Sequence, residues 1–193
     1  MYYLNGGGGI LCGFSFGEAP LEIYMYNTTI FNNIANIGAG IGALSGNIYI
    51  ERTLIANNTG DFGSAISMGE PLGLIVDNIS MDIINSTITN NSGIMTTGLI
   101  NSSYLNILNS IFFNNDSDYE FAAMPNNNQL NIEGVYSLFE NNFDGEGNII
   151  SDPLFQNIDS NYQLSEDSPC IDTGDPNSEL DPDGTRADMG AYH

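Results

Sequence analysis

Four aspartates near the C-terminal end have the residue type and spacing that best suit metal binding. Asp172, Asp175, Asp181 and Asp183 stand among turn-forming residues in the segment 172–184. Calcium prefers six to eight oxygen ligands on flexible loops, so we predict these carboxylates as Ca²⁺ ligands. No glutamate occupies the twelfth position from Asp181, so the segment is not an EF-hand loop. The alternative is a solvated acidic loop in which the aspartates cap turns.

A second acidic stretch and a few carboxylate pairs are the other candidates for metal binding or catalysis. Residues 115–120 hold three further acidic side chains beside Asn115 and are a second calcium candidate. Glycoside hydrolysis needs two carboxyl groups about 5 to 9.5 Å apart. Asp77 with Asp82, or Glu51 beside a neighbouring coil, could supply such a pair. No pattern singles out a catalytic residue, and we assign none.

Positively charged residues are almost absent. Arg52 and Arg186 face 24 acidic residues, lysine is missing, the one histidine is the terminal His193, and the formal net charge is −22. Nucleic-acid surfaces need clustered cations, so this class of partner is excluded. Adhesion to anionic lipid is disfavoured, and no apolar run is long enough to insert into a membrane. We expect Arg186 to be structural and paired with Asp172 or Asp188.

The elements that must position these residues come from an internal repeat. Five segments end in an Asn-Asn pair, with a large apolar residue two positions before the pair and a hydroxyl residue four positions before it. The first asparagines lie at positions 32, 57, 90, 114 and 141, so the spacings are 25, 33, 24 and 27 residues. Alternating apolar pairs recur upstream of each segment, and small-residue segments recur downstream, at 38–41, 63–66, 96–99 and 120–123. A regular repeat of this length is typical of a solenoid.

Each repeat predicts three short strands, because alternation of apolar residues is the strand period. The alternation changes phase at Asn27, Asn85 and Asn109, and asparagine suits a sharp left-handed corner there. The sequence therefore predicts an all-β, right-handed parallel β-helix of about five to seven coils. Residues 1–150 form the coils, and 151–193 form a loop-rich C-terminal cap of the same domain. Stacking places the Asn-Asn pairs in amide ladders, and the 33-residue spacing predicts a loop or bulge at 69–78.

Two further side-chain pairs follow from the stacking. Tyr24 and Tyr49 occupy equivalent outward positions on adjacent coils, where they could stack as cross-strand aromatics or form a strip for binding sugars. Cys12 and Cys170 fall about five coils apart, roughly 24 Å at the strand spacing, which is too far for a disulfide. We therefore predict two free, mostly buried thiols.

The repeat of apolar-x-apolar followed by Asn-Ser-Thr-Ile-x-Asn-Asn resembles right-handed parallel β-helix repeat proteins over residues 6–142. These include polymorphic outer-membrane protein repeats and the pectate-lyase-like superfamily. The segments 152–155, 162–164, 168–175 and 183–192 resemble the end of secreted bacterial β-helix proteins with a choice-of-anchor domain of the Q type. The resemblance implies a secreted or surface-displayed bacterial protein whose signal and anchor lie outside this chain, which we interpret as a fragment.

Three functions fit this interpretation. The first is an extracellular β-helix module that is structural or adhesive or binds carbohydrate, with a polysaccharide or another cell-surface component as partner. The second is a polysaccharide lyase or glycoside hydrolase on the same scaffold, although related lyases use Arg or Lys as base, and here lysine is absent and Arg186 is assigned to structure. The third is a segment of a viral tail fibre. A groove lined by carboxylates and aromatics would favour the enzyme, and a flat Asn/Ser surface would favour the module.

Overall fold

Short runs of alternating apolar and polar residues form the strands, as the sequence pattern predicts. The computed structural model describes residues 8–12, 21–69, 79–99, 103–123, 131–157 and 162–192. Within these ranges the chain forms fifteen strands and no helix, and therefore no helix there is long and apolar enough to cross a membrane. The strands are β1 (Ile10–Cys12), β2 (Glu22–Tyr26), β3 (Thr29–Phe31), β4 (Ile41–Ala43), β5 (Gly46–Glu51), β6 (Leu54–Ala56), β7 (Phe62–Met68), β8 (Ile79–Ile84), β9 (Thr87–Thr89), β10 (Ser92–Leu99), β11 (Tyr104–Leu108), β12 (Ile111–Phe113), β13 (Asp116–Ala123), β14 (Asn131–Val135) and β15 (Leu138–Phe139).

The strands form three parallel sheets of five strands each, and the chain visits the sheets in rotation. Sheet A contains β1, β4, β7, β10 and β13, sheet B contains β2, β5, β8, β11 and β14, and sheet C contains β3, β6, β9, β12 and β15. Three consecutive strands therefore make one coil, and five coils are described. This order is consistent with a β-helix or solenoid.

The register in sheets B and C follows the sequence repeat. The predicted apolar positions of sheet C lie in one column, which runs through Ile30, Ile55, Ile88, Phe112 and Phe139. The upstream positions form a second column in sheet B, through Ile23, Ile48, Met81, Leu105 and Ile132. Nearly all of these side chains are buried, so apolar burial between coils holds the interior together.

Sheet A departs from the predicted alignment. The repeat aligns Leu99 with Ile66, but in the structure Leu99 pairs with Met68. A register shift between Met95 and Thr97 accounts for the difference, because the partner strand β7 carries two additional residues there. Gly63 has a φ of 69° beside this irregularity, a backbone angle at which a side chain is strained. The segment 70–78, where the sequence predicts an inserted loop, lies outside the described residues.

Left-handed residues turn the chain at both ends of the sheet C strands. Asn27, Asn85 and Asn109 have φ values of 44° to 50°, which confirms the predicted asparagine corners. Arg52 and Tyr136 adopt the same conformation in the equivalent places, although neither residue type favours it. At the far corner, the first asparagine of each of four pairs has a φ of 53° to 57°: Asn32, Asn57, Asn90 and Asn114.

The second asparagines of four of the five pairs form the predicted amide ladder. The side-chain oxygen of Asn58 accepts hydrogen bonds from the backbone and side-chain nitrogens of Asn33, both at 3.0 Å. The side-chain nitrogen of Asn58 donates to the oxygen of Asn91 at 3.0 Å and to the carbonyl of Ile30 at 3.2 Å. Asn91 bonds Asn115 in the same way. The fifth copy, Asn142, is exposed and donates instead to Asp144 at 3.3 Å.

A second ladder runs along the hydroxyl positions of the repeat. Each backbone nitrogen donates to the hydroxyl in the next coil, from Thr53 to Ser86, from Ser86 to Ser110 and from Ser110 to Ser137, at 3.0 to 3.1 Å. Each hydroxyl donates in turn to the carbonyl two residues earlier in its own coil. Asn148 ends this ladder by accepting from the nitrogen of Ser137 at 3.0 Å. Buried polar groups at this corner are thus satisfied by the neighbouring coil.

Residues beyond β15 cover apolar surface in two places, at the end of the coils and on the outer face of sheet C. Residues 143–149 cover that end, with the Phe143 ring 4.6 Å from Phe139 and Ile149 bridged to Leu138. Side chains from 152–157 and 162–192 contact the outer face of sheet C. The buried Tyr162 accepts hydrogen bonds there from Asn57 and Asn90. The reason is that sheet C carries apolar residues on both faces, and its outer face also needs cover.

Both cysteines are free and buried, as the sequence predicts. Burial raises the pKa of Cys12. It raises the pKa of Cys170 to about 12, since the thiolate would lose its hydration there. These thiols therefore serve as small core residues rather than nucleophiles.

The amide ladder makes a testable prediction. Asn58→Ala removes a fully buried amide and leaves its partners in Asn33, Asn91 and Ile30 without that hydrogen bond. We expect the free energy of unfolding in urea to fall by about 3 kcal/mol. The control is Asn142→Ala, which changes the same repeat position outside the ladder and should cost less than about 0.5 kcal/mol. Equal losses in both variants would contradict the ladder's role.

Candidate functional site

The outer face of sheet B is where polar and aromatic side chains gather. Side chains from 152–157 and 162–192 pack on the outer face of sheet C, whereas every outward residue of sheet B is at least partly exposed. The exposed rings on this face include Tyr24 at 69 %, Tyr26 at 56 % and Tyr104 at 48 %. Exposed aromatic side chains that share one face with polar side chains can provide a binding surface. We therefore take this face as the candidate functional site.

The central column of this face runs parallel to the stack of coils. It passes through the register partners Tyr24, Tyr49, Asp82, Asn106 and Glu133. The two tyrosine rings stack with centroids 4.7 Å apart and an interplanar angle of 10°, so the predicted pairing is confirmed. Further along, the side-chain nitrogen of Asn106 donates to a carboxylate oxygen of Asp82 at 2.7 Å. One line of side chains thus passes from aromatic to acidic.

A groove of about 350 Å³ lies at the acidic end of the column. Its polar walls are Asp82, Asn106, Glu133 and Asp175. Its apolar lining comes mainly from one flanking column of the sheet, through Ile84, Leu108 and Val135, with Ile107 beside them. Because strands in a sheet lie about 4.8 Å apart, Asp82 and Glu133 are about 9.6 Å apart along the stack. The groove thus combines three carboxylates with an apolar lining.

The sequence reasoning did not find this column as a whole. It noted the tyrosine pair and Asp82, but not Asn106 or Glu133. The signal was available, because all five residues precede the first asparagine of their repeat by the same eight positions. Of the other carboxylates considered for hydrolysis, Glu51 lies on a flanking column of the same face, and Asp77 lies outside the described residues.

The four predicted calcium ligands are spread along the C-terminal segment. Asp175 lines the sheet B groove. Asp183 accepts hydrogen bonds from the nitrogen and hydroxyl of Thr185 at 2.9 and 2.7 Å, and Asp181 accepts from the nitrogen of Asp188. Asp172 turns the chain with a φ of 54°. Among the described residues, no three acidic, histidine or cysteine side chains are grouped as metal ligands.

Arg186 has different partners from those predicted. Its Nε donates to the carbonyl of Gly174, its Nη2 donates to the carbonyl of Thr173 at 3.2 Å, and its guanidinium lies 5.7 Å from the Tyr136 ring centre. The carboxylate of Asp188 instead accepts the backbone nitrogen of Asp172 at 2.8 Å. The structural role predicted for Arg186 fits these contacts.

A separate pair of cavities lies beside β13, within the second acidic stretch. Their volumes are about 460 and 180 Å³, and Asp118 and Glu120 line both. Burial raises the pKa of Glu120 to about 8, and the negative charge of Glu140 adds to the shift. Asn115, counted with this stretch from sequence, belongs to the amide ladder.

Comparison with known proteins adds no assignment. No protein-family model matches the chain, and no curated protein or solved structure is significantly similar to it.

The shifted carboxyl group predicts a pH dependence. The folded-state pKa of Glu120, about 8, lies above the unfolded value of about 4.3. The folded protein therefore holds a proton that the unfolded chain loses, and this contribution to stability falls as pH rises from about 4.3 to 8. We expect Glu120→Gln to raise the free energy of unfolding by about 2 kcal/mol above pH 8 and hardly at all near pH 4. The exposed control Glu166→Gln should show no such pH-dependent gain, and a gain independent of pH in Glu120→Gln would contradict the prediction.

The calcium hypothesis has its own test. If Asp181 and its neighbours bind Ca²⁺, the melting temperature should rise with added calcium and fall in excess EDTA, because a ligand that binds the folded state stabilises it. Asp183→Asn should then reduce the calcium-dependent shift, whereas Asp144→Asn, outside the segment, should leave it intact. A melting temperature that is equal in calcium and EDTA would rule out this site.

Proposed function

We propose that this chain is a right-handed parallel β-helix module, secreted or displayed on a bacterial surface, that binds polysaccharide on the outer face of sheet B. The observation that carries this proposal is the exposed column in which stacked Tyr24 and Tyr49 continue into Asp82, Asn106 and Glu133. The resemblance of the repeat to secreted β-helix proteins supports the location. The right-handed twist follows the rule that crossovers between parallel strands are right-handed in nearly all cases.

The stacked tyrosines suit a sugar because their rings are rigid and amphipathic. Sugar rings have one face of C–H groups that can lie on an aromatic ring, while their hydroxyls need polar partners at the edge. Tyr24 offers a large exposed surface, and Asn47 and Ser80 lie in the next column of the same face, bonded to each other at 2.8 Å. A long chain of sugars can contact several coils at once, because the column crosses all five.

A glycoside hydrolase is the second candidate, and the spacing of Asp82 and Glu133 favours it. Two layers separate these residues, about 9.6 Å, close to the upper end of the range for inverting enzymes. Asn106 stands between them and bonds Asp82 at 2.7 Å, so an amide occupies the gap that an attacking water would need. We therefore place binding ahead of hydrolysis. If the wild type released reducing ends from a polysaccharide and Asp82→Asn did not, hydrolysis would become the leading function.

The tyrosine pair gives the test of binding. We expect Tyr24→Ala and Tyr49→Ala each to weaken polysaccharide binding about fivefold to tenfold, because each removes one half of the aromatic platform. The measurement is affinity gel electrophoresis against a panel of neutral and charged soluble polysaccharides. Tyr119→Ala is the matched control, since Tyr119 is also exposed, at 59 %, but lies in sheet A. Unchanged retardation in both sheet B variants would contradict the proposal.

A further inference from the structure

The charges on the sheet B face restrict which polysaccharide it can take. Its outward strand residues include four carboxylates, at Glu22, Glu51, Asp82 and Glu133, and Asp175 joins them from the C-terminal segment. The lining of the groove contains three of these and no basic residue. A polymer of uronic acids would meet repulsion along its whole length, and a net charge of −22 extends that repulsion over the molecule.

The two arginines do not neutralise the negative charge of this face. Arg52 stands at the corner after β5, with its Nε 3.8 Å from the carboxylate of Glu51 on the same face. Arg186 is directed to the carbonyls of Thr173 and Gly174 and lies over Tyr136. The chain contains no lysine. The cations that would complement the groove must therefore come from the ligand.

The uncharged parts of the face decide which kind of cation fits. A simple polyamine or a basic peptide could satisfy the carboxylates, but neither presents a flat ring to the stacked pair of Tyr24 and Tyr49. The flanking residues Ile84, Leu108 and Val135 offer an apolar surface beside the acids. A sugar ring that carries an amine has both features, an apolar face for stacking and a positive charge for the carboxylate.

From this complementarity we infer that the outer face of sheet B binds an amine-bearing polysaccharide, a polymer whose sugars carry free amino groups. The inference rests on the proposed polysaccharide-binding function and names its substrate class. Sugar rings stack on the faces of this tyrosine pair that are not in contact with each other. The ammonium groups bond to Asp82 and Glu133, and Asn106 holds the Asp82 carboxylate in place through its 2.7 Å hydrogen bond.

The experiment compares two ligands that differ in charge. Glucosamine oligomers and N-acetylglucosamine oligomers of equal length are titrated into the protein by calorimetry, in mildly acidic buffer where the glucosamine amines are protonated. We expect the glucosamine oligomer to bind about tenfold more tightly. The preference should shrink with added salt, because exposed charge pairs are screened.

Isosteric variants show whether the preference comes from this groove. Asp82→Asn and Glu133→Gln should each weaken glucosamine binding about twofold to fivefold and so narrow the preference for the glucosamine oligomer over the acetylated one. The matched control is Asp167→Asn, an exposed acid of the C-terminal segment, which should bind both oligomers like the wild type.

The possible outcomes distinguish a failure of this inference from a failure of the proposed polysaccharide-binding function. Equal affinity for both oligomers, with both still lost in Tyr24→Ala, would overturn the amine preference and leave polysaccharide binding standing. Absence of binding to either oligomer and to every polysaccharide in the panel would overturn both. Tight binding of polylysine without binding of glucosamine oligomers would assign the face to basic peptides and would also overturn the inference.

Discussion

The stacking of one coil on the next is the constraint on which the rest of the structure depends. Parallel strands lie about 4.8 Å apart, so each side chain meets its counterpart from the neighbouring coil at nearly contact distance. Apolar residues are stabilised by this contact because they form buried columns, and polar residues must find hydrogen-bond partners in the neighbouring coil. Asn58 satisfies this demand at both ends, since it accepts from Asn33 and donates to Asn91. The hydroxyl ladder solves the same problem at the other corner.

The same constraint assigns a role to each side of the coils. Inward positions are apolar and buried, and they form one continuous core. The outward positions of sheet C carry Leu54, Ala56, Ile111 and Leu138, which would be costly to expose. The C-terminal segment covers them with Tyr162 and Met189. The outward positions of sheet B carry tyrosines, amides and carboxylates, which tolerate water and remain available to a ligand.

Acidity has different consequences in different parts of the molecule. On sheet B the carboxylates are at the surface, where hydration limits the cost of their repulsion and leaves their charge available for recognition. At Glu120, burial makes the same chemical group hold its proton to about pH 8. In the C-terminal segment, carboxylates such as Asp183 accept backbone and hydroxyl hydrogen bonds in tight turns. The environment of each acid, more than the net charge, decides what it does.

The sequence by itself determined the local and periodic features. The alternation of apolar residues predicted the strands, the asparagines predicted three of the five equivalent corners, and the repeat predicted the columns of sheets B and C. These features depend on side chains close in sequence or at a constant spacing. The tertiary structure alone decided the slip of two residues in sheet A, the left-handed conformations of Arg52 and Tyr136, and the carbonyl partners of Arg186. It also decided that side chains from 152–157 and 162–192 pack on sheet C and that Asp175 joins the groove of Asp82 and Glu133. These contacts join segments far apart in sequence, and no repeat period encodes them, because their geometry depends on how the folded surfaces meet.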